Sequence, residues 1–180
     1  EMEHKQLLIV FNSLPVGIGF FTADGTLVRC NESFCRIFGA DSQTLLGNKL
    51  NINENSVVPD VVKEAVRRCV PVQMSFLYDF DKQRTDKRFF STRTRTCYLK
   101  CNGNPLYDND GKFVNYIFIF EDITETVKSE EVLRQSRRKT ELAMKAANIM
   151  FWEFDAVAKL FYSDNEPLNG YDQSKPVSMA

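Results

Sequence analysis

The sequence contains a single histidine, His4, among its 180 residues. Nucleophilic catalysis by a serine or cysteine normally needs a histidine close to the nucleophile. Because His4 lies near the N-terminus, outside the expected core, the sequence argues against a catalytic triad. The chain also lacks a G-x-G-x-x-G sequence, a Walker loop and an H-E-x-x-H sequence, which are the marks of dinucleotide, nucleoside triphosphate and zinc-protease sites. We therefore expect a segment that is not an enzyme.

A large net charge and a long apolar run are absent as well. The formal net charge is -1, so the composition gives no electrostatic basis for binding nucleic acid or an anionic membrane. No apolar run approaches the roughly 20 residues that a membrane-spanning helix needs. We expect no nucleic-acid partner, no membrane contact by this segment and a cytoplasmic location.

The cysteines form no C-x-x-C pair, and their number, five, is odd. This usage is typical of reduced cytosolic thiols that serve as small hydrophobic side chains. Cys97 and Cys101 share one face of an expected strand, but no second pair completes a zinc site, so no metal is expected. The alternative hypothesis is a thiol redox switch that uses Cys30, Cys35 or the Cys97/Cys101 pair.

One stretch organises the rest of the chain: the residues from Val114 to Thr124. Its centre, from Tyr116 to Phe120, is an unbroken apolar and aromatic run, which is typical of a buried strand. The run Asp108-Asn109-Asp110-Gly111 before it predicts a hairpin turn, because these residue types tolerate a positive φ. A charged segment with helical character follows directly. We therefore predict a central strand that continues into an exit helix without a flexible linker.

The remaining pattern predicts an α+β fold. Residues 1–14 are predicted to form an amphipathic helix that Pro15 ends. Two strands from residue 16 to residue 30 form a hairpin, and short helices follow up to residue 70. The strand 73–80 comes next, then a charged hairpin tip at 81–88 and strands over 89–96 and 97–106. Strands joined by hairpins and split by a helical insertion favour an antiparallel sheet with helices on one face.

Residues from about Leu7 to Thr124 resemble a PAS domain. The resemblance rests on motifs in family-like order: Leu14-Pro15-Val16-Gly17-Ile18, Asp24-Gly25, Asn31-Glu32-Ser33-Phe34, Phe38-Gly39, Leu46-Gly47, Pro105-Leu106 and Gly111. It ends at Asp122-Ile123-Thr124-Glu125, which is similar to the D-I-T-E ending of PAS cores in bacterial sensor histidine kinases. The resemblance implies a five-stranded antiparallel sheet whose inner face, with the small helices, encloses a pocket.

The pocket in such a domain can hold an organic ligand. Six residues are candidates for its lining: Phe34, Phe38, Met74, Phe76, Ile117 and Ile119. The opposing interpretation is a core filled by these same side chains. Haem-binding members usually supply a core histidine, which this sequence lacks. Flavin-binding light sensors carry a cysteine in an N-C-R-F-L-like motif, and Cys35 lies in the helix before that site. The resemblance therefore implies neither haem nor flavin, and we expect no cofactor beyond an unidentified small organic ligand.

The resemblance also implies a division of the chain. The boundaries that we predict are an N-terminal helix at 1–14, the PAS domain at 15–124, a signalling helix at 125–147 and the beginning of a second PAS domain at 148–180. Asp122, Ile123 and Thr124 are the expected relay from the core to the helix. The helix 125–147 is read either as a solvated connector or as one half of a homodimer formed through the terminal helices. The output domain expected in the same chain is that of a two-component histidine kinase.

Overall fold

The computed structural model describes residues 2–85, 91–147, 152–155, 160–163 and 177–178. The chain divides into two units, Glu1–Lys128 and Ser129–Ala180. Each unit is described below by itself.

The first unit contains a five-stranded antiparallel sheet. Its strands are β1 (Gly17–Phe21), β2 (Leu27–Cys30), β3 (Val72–Asp79), β4 (Thr96–Tyr107) and β5 (Phe113–Asp122). They lie side by side in the order β2-β1-β5-β4-β3. β5, the last of these five strands in sequence, is therefore the middle strand of the sheet, between β1 and β4. The prediction that this strand is internal is confirmed, and so is the α+β fold with an antiparallel sheet.

Helices flank the sheet and fill the long connection between β2 and β3. The first unit has α1 (Met2–Ser13), α2 (Glu32–Phe38), α3 (Ser42–Gly47), α4 (Asp60–Arg68) and α5 (Phe80–Thr85), and α6 (Thr124–Ala146) begins in it. α1 ends just before Pro15, as predicted. No helix in the described part of the chain combines the length and hydropathy that a membrane crossing requires.

The segment between β3 and β4 differs from the prediction. At 81–85, where a hairpin tip was predicted, the chain forms the short helix α5, whose first turn is stabilised by Asp79 accepting hydrogen bonds from the amides of Asp81 and Lys82 at 2.9 Å each. At 91–95, where a strand was predicted, the chain is irregular, and β4 begins at Thr96. The rest of the two predicted elements, 86–90, lies outside the described residues. Asp79 and Thr96 are nevertheless paired across the two strands.

α2 lies against the sheet because β1 presents glycine to it. A Cβ atom on Gly17 would lie 3.0 Å from the Cα of Phe34, and one on Gly19 would lie 2.8 Å from the ring of Phe34. The helix can approach this closely only where no side chain intervenes. At its start Asn31 accepts a 2.9 Å hydrogen bond from the amide of Phe34, a standard N-cap.

The core lies on the inner face of the sheet and is unusually aromatic. Its fully buried side chains include Phe21, Phe34, Tyr78, Phe80, Tyr116 and Phe118. Neighbouring rings meet at centroid distances of 4.5 Å between Phe34 and Phe38 and 5.3 Å between Phe38 and Phe120. Such ring pairs add to the stabilisation that burial supplies.

The second unit contains most of α6 and a small sheet. Its strands are β6 (Trp152–Asp155), β7 (Leu160–Ser163) and β8 (Val177–Ser178), in that order and antiparallel. β6 and β7 pair with each other over their whole length, from Trp152 with Ser163 to Asp155 with Leu160. β8 adds a third strand that the sequence did not indicate.

Candidate signal-relay junction and core cavity

β5 passes into α6 with one residue between them. The strand ends at Asp122 and the helix begins at Thr124. Asp122 Oδ1 accepts hydrogen bonds from the amide of Thr124 at 3.1 Å and from its hydroxyl at 2.6 Å. The carboxylate therefore satisfies one of the amides that the first turn of a helix leaves without a partner. The change from strand to helix needs no loop.

The junction is also bound to the neighbouring strand. The amide of Ile123 donates to the carbonyl of Tyr98 at 2.9 Å, and the amide of Tyr98 donates to the hydroxyl of Thr124 at 2.9 Å. These bonds continue the β4–β5 ladder past its last strand pair, Leu99 with Asp122. All three predicted relay residues thus have a hydrogen-bond partner, and the start of α6 is bonded to the sheet.

Arg93 joins this junction to α2. Its Nη2 lies 2.8 Å from Asp122 Oδ2, and its Nη1 donates to the carbonyl of Ile37 at 3.0 Å. The guanidinium carbon lies 5.0 Å from the centre of the Phe80 ring, within range of a cation–π contact. One side chain therefore bridges the end of β5 and the end of α2.

The residues beside Arg93 hold the C-terminal end of α2. The hydroxyl of Ser91 donates to the carbonyl of Phe38 at 2.7 Å, and the amide of Thr92 donates to the carbonyl of Gly39 at 2.7 Å. The last carbonyls of a helix have no partner within the helix. Segment 91–93 supplies those partners, so the position of α2 and the position of this segment are coupled.

Opposing effects act on the carboxyl of Asp122. Burial works to raise its pKa, whereas the hydrogen bonds from Thr124 and the hydrogen bond and charge of Arg93 work to lower it. The lowering effects prevail, so the pKa of Asp122 lies below its ordinary value. The side chain is ionised at neutral pH, as both the helix cap and the ion pair require.

A small cavity lies under the sheet, next to α2. Its volume is about 20 Å³, which is room for about one water molecule. The lining consists of Phe21, Phe34, Phe38, Leu50, Ile52, Asn55, Val58, Phe76, Tyr78 and Phe120. Sites for organic ligands typically measure 300–1,000 Å³. Aromatic side chains fill this space, so a ligand of that size would enter only if they moved.

One polar contact interrupts the apolar lining. The side-chain amide of Asn55 donates to the hydroxyl of Tyr78 at 3.0 Å, and both residues are buried. The side-chain oxygen of Asn55 accepts a hydrogen bond from the backbone amide of Val57 at 3.0 Å. The pair therefore places a fixed dipole at the cavity wall, and it is the polar feature that a ligand in an enlarged cavity would meet.

Three of the six residues that were predicted to line the pocket do line the cavity. Phe34, Phe38 and Phe76 line the cavity. Met74 lies on the same face of β3 as Phe76 and packs against the core, but it does not reach the cavity.

Ile117 and Ile119 were assigned to the wrong face. They pair with Phe20 and Ile18 of β1 on the outer side of the sheet, because Tyr116, Phe118 and Phe120 are the β5 residues that face the core. All five residues of the run are apolar, so alternation in the sequence could not identify the inner face.

Several residues of the site were missed altogether. The cavity residues not predicted are Phe21, Leu50, Ile52, Asn55, Val58, Tyr78 and Phe120, and the bridging residues not predicted are Ser91 and Arg93. Phe120 and Tyr78 follow from strand alternation once the inner face is known. No pattern marks Ser91 or Arg93, since they lie in irregular chain.

The thiols differ in their surroundings. Cys97 and Cys101 are buried on the inner face of β4, and burial raises their pKa values to about 11 and about 12. Four residues of strand separate them by roughly 13 Å, so they cannot act as a pair. Cys30 and Cys35 are half-buried, with their sulfur atoms 3.8 Å apart. In the described residues, histidine, cysteine, aspartate and glutamate side chains do not form groups of three or more that could hold a metal ion.

Comparison with known families finds one matching model. A family model described as the PAS fold matches residues 11–128. This range contains the sheet, α2 to α5 and the junction with α6.

A curated protein shows a weaker similarity. The chain is 20% identical over 157 residues to the probable diguanylate cyclase DgcE of Escherichia coli K12. The similarity covers 87% of this chain and 14% of DgcE, so the chain spans about one seventh of that relative.

Solved structures share the fold at low identity. An RNA-binding light-oxygen-voltage receptor has a TM-score of 0.57 at 17% identity, over 78% of this chain and 38% of the receptor. The PAS domain of a protein from Colwellia psychrerythraea has a TM-score of 0.52 at 16% identity, over 68% of this chain and 98% of that domain. The PAS domain of an HTR-like protein from Haloarcula marismortui has a TM-score of 0.50 at 20% identity, over 68% and 93%. At these identities the similarity establishes the architecture alone.

Proposed function

The chain belongs to the PAS-fold family, and we propose that its sensory domain passes changes in the core to α6 through Asp122, Ile123 and Thr124. The sensory domain is the non-catalytic module of a signalling protein. The observation that carries the proposal is the bridge made by Arg93, which contacts the carbonyl of Ile37 and the carboxylate of Asp122 at 3.0 Å and 2.8 Å.

The bridge supports a specific route. Phe34 and Phe38 of α2 line the cavity, and the end of the same helix is held by segment 91–93. A molecule or a packing change that displaces α2 therefore acts on Arg93, and through it on the cap of α6. A ligand shifts such an equilibrium only by as much as it prefers one arrangement over the other. We propose an unidentified small organic ligand as an optional input, and no resident haem or flavin.

This route predicts a difference between two matched substitutions. Phe38→Leu and Phe21→Leu make the same change in the same cavity, but only Phe38 lies on α2. We expect Phe38→Leu to accelerate amide hydrogen exchange over residues 122–128 more than Phe21→Leu does, after correction for any difference in global stability. In an Arg93→Gln background the extra acceleration should vanish. Equal exchange at the junction in both variants would exclude a route through α2.

We further propose that the protein is a homodimer formed through its terminal helices. On α1, Leu7 and Ile9 are each 68% exposed and Val10 is 55% exposed. On α6, Val132 is 68% exposed and Leu142 is 58% exposed. Burying these side chains against a second copy would remove apolar area from water.

The dimer proposal is tested on α1. Ile9→Arg places a charge on the exposed apolar side chain, and Gln6→Arg adds the same charge at an exposed polar position of the same helix. Native mass spectrometry over a range of concentrations should show dimers for the unsubstituted chain and for Gln6→Arg, but mainly monomers for Ile9→Arg. A monomeric unsubstituted chain at high concentration would refute the proposal.

Two output domains are candidates for the whole protein. The D-I-T-E ending supports a two-component histidine kinase, with phosphorelay as its mode of action. The similarity to DgcE supports a diguanylate cyclase as the second candidate. Full-length protein incubated with ATP or with GTP separates them, because a kinase phosphorylates itself and a cyclase releases a cyclic dinucleotide.

The second unit supports a tandem arrangement. β6 and β7 form an antiparallel hairpin after the helix, as β1 and β2 do after α1. We propose that residues 148–180 begin a second PAS domain. The free thiols of all five cysteines are consistent with the reducing cytoplasm, which we propose as the location.

A further inference from the structure

The sulfur atoms of Cys30 and Cys35 lie 3.8 Å apart, at the point where β2 turns into α2. A disulfide bond is about 2.05 Å long, so the two atoms need to approach by less than 2 Å. Both side chains are half-buried and keep some access to solvent.

Asn31, the first of the four residues between the two cysteines, forms several hydrogen bonds. Asn31 is 1% exposed. Its Oδ1 accepts from the amide of Ile18 at 2.8 Å and from that of Phe34 at 2.9 Å, and its Nδ2 donates to the carbonyls of Phe11 and Val16 at 3.0 Å each. α1, β1 and α2 all meet at this side chain. A covalent link between residues 30 and 35 would close a short loop around it.

We propose that Cys30 and Cys35 form a reversible disulfide with each other. The oxidant is a low-molecular-weight disulfide such as oxidised glutathione. The thiolate of one cysteine attacks the glutathione disulfide and releases one glutathione thiol. The thiolate of the other attacks the resulting mixed disulfide and releases the second. Two protein thiols are oxidised, one glutathione disulfide is reduced to two thiols, and the two protons pass to the departing glutathione.

The surroundings of the two thiols determine how fast they are oxidised and how stable the disulfide is. Burial, followed by the neighbouring Cys35, raises the pKa of Cys30 to about 12, and burial is also the main cause of a raised pKa at Cys35. The reduced pair is therefore protonated at neutral pH. Because the thiolate is the attacking species, oxidation should be slow. Because no stabilised thiolate favours the reduced form, the disulfide should be thermodynamically stable once made. The pair would respond to sustained oxidation more than to a brief pulse.

The disulfide would act on α2 at a different place from Arg93. Arg93 and Ser91 hold the C-terminal end of the helix, whereas Cys35 is the middle residue of its seven. Fixing Cys35 to β2 would restrain the neighbouring Phe34, which lines the cavity. The inference does not depend on the proposed relay, since the disulfide can form whether or not α6 responds to it.

The experiment is a redox titration of the whole chain. The protein is equilibrated in buffers of defined reduced and oxidised glutathione, the remaining thiols are alkylated, and the peptides are identified by mass spectrometry. We expect two of the five thiols to become protected together, in one peptide that contains residues 30 and 35 and has lost two hydrogen atoms. Hydrogen exchange over residues 31–35 should slow in the oxidised protein.

Three variants control the assignment. Cys30→Ser and Cys35→Ser should each stop at the mixed disulfide with glutathione, while Cys69→Ser, at another half-buried cysteine, should still form the link. Independent alkylation of Cys30 and Cys35 at every redox ratio would overturn the proposal. So would a disulfide that joins two chains. If the disulfide forms but amide exchange over residues 122–128 is unchanged, the proposed disulfide is supported and a coupling between it and the relay is refuted.

Discussion

Replacing Arg93 by glutamine should loosen the junction between β5 and α6. The substitution removes the positive charge and shortens the side chain, so it breaks the contacts to Asp122, Ile37 and Phe80 together. Arg68→Gln is the matched control. Arg68 forms an ion pair with Glu64 at 2.6 Å on the surface of α4, with its side chain 72% exposed, whereas the side chain of Arg93 is 34% exposed.

The expected cost follows from the three contacts. A hydrogen bond from a charged donor contributes about 1.5–3 kcal/mol to stability. A partly exposed ion pair adds up to about 1 kcal/mol, and a cation–π contact adds about 0.5–1 kcal/mol. These contributions are not additive, because one guanidinium makes all three. We expect roughly 2–3 kcal/mol for Arg93→Gln, against about 0.5 kcal/mol or less for Arg68→Gln.

Amide hydrogen exchange measures this cost at the junction. A loss of roughly 2–3 kcal/mol corresponds to exchange that is about 30- to 150-fold faster, since 1.4 kcal/mol is a factor of ten. The acceleration should be largest for the amides of Ile123 and Val127. Arg93→Gln and Asp122→Asn should also be strongly non-additive, because both break the same ion pair. An acceleration below about threefold, or one no larger than for Arg68→Gln, would refute the structural role assigned to Arg93.

Four further substitutions test other parts of the structure. Gly39→Ala should destabilise the domain by about 2–4 kcal/mol in urea unfolding, because Gly39 has a φ of 64° and its added Cβ would lie 2.9 Å from the amide nitrogen of Arg93. Gly47→Ala should be neutral or slightly stabilising by about 0.5–1 kcal/mol, since nothing lies within 4 Å of its Cβ position. Folding lowers the pKa of Asp122. The ionised carboxylate therefore stabilises the fold at any pH above the unfolded pKa, and this contribution is lost as the pH falls through the folded pKa. The difference in stability between the natural chain and Asp122→Asn should accordingly shrink on acidification below about pH 4. Phe38→Ala should cost about 3–5 kcal/mol and enlarge the cavity enough for xenon or benzene to raise the melting temperature of the variant, and no such rise should occur in the natural chain.

The sequence was most informative where local rules act on neighbouring residues. Gly111 has a φ of 76° in the turn before β5, as the Asp-Asn-Asp-Gly run indicated. Asp122, which the sequence placed at the end of the strand, accepts a hydrogen bond from the amide of Thr124 at the start of α6. The charged segment with helical character directly after the strand was sufficient to predict that the helix follows without a linker. Each of these features depends on residues only a few positions apart.

It was least informative where contacts join distant parts of the chain. Arg93 lies 56 residues from Ile37 and 29 from Asp122, in a stretch that was interpreted as a strand because threonine and aromatic residues are frequent in it and in the strand that follows. The irregular conformation arises because Ser91 and Thr92 bond to the end of α2 in place of a neighbouring strand. Periodicity cannot reveal a partner 50 residues away, and side chain-to-backbone bonds leave no repeating pattern.

Two isoleucines of β5 were assigned to the wrong face because no local pattern distinguishes the two faces of a strand that is apolar throughout. This property of β5 also bears on the mechanism. Ile117 and Ile119 lie on the outer face with Ile18 and Phe20, so β5 carries apolar side chains on both faces. A strand that is apolar on both sides, central in its sheet and continuous with α6 has little freedom to slip in register, because a shift of one residue would disrupt both packed faces. We therefore expect changes under the sheet to be accommodated by α2 and not by β5. Two contacts would act on α2: the proposed disulfide at Cys35, in the middle of the helix, and Arg93, which binds the carbonyl of Ile37 at its C-terminal end.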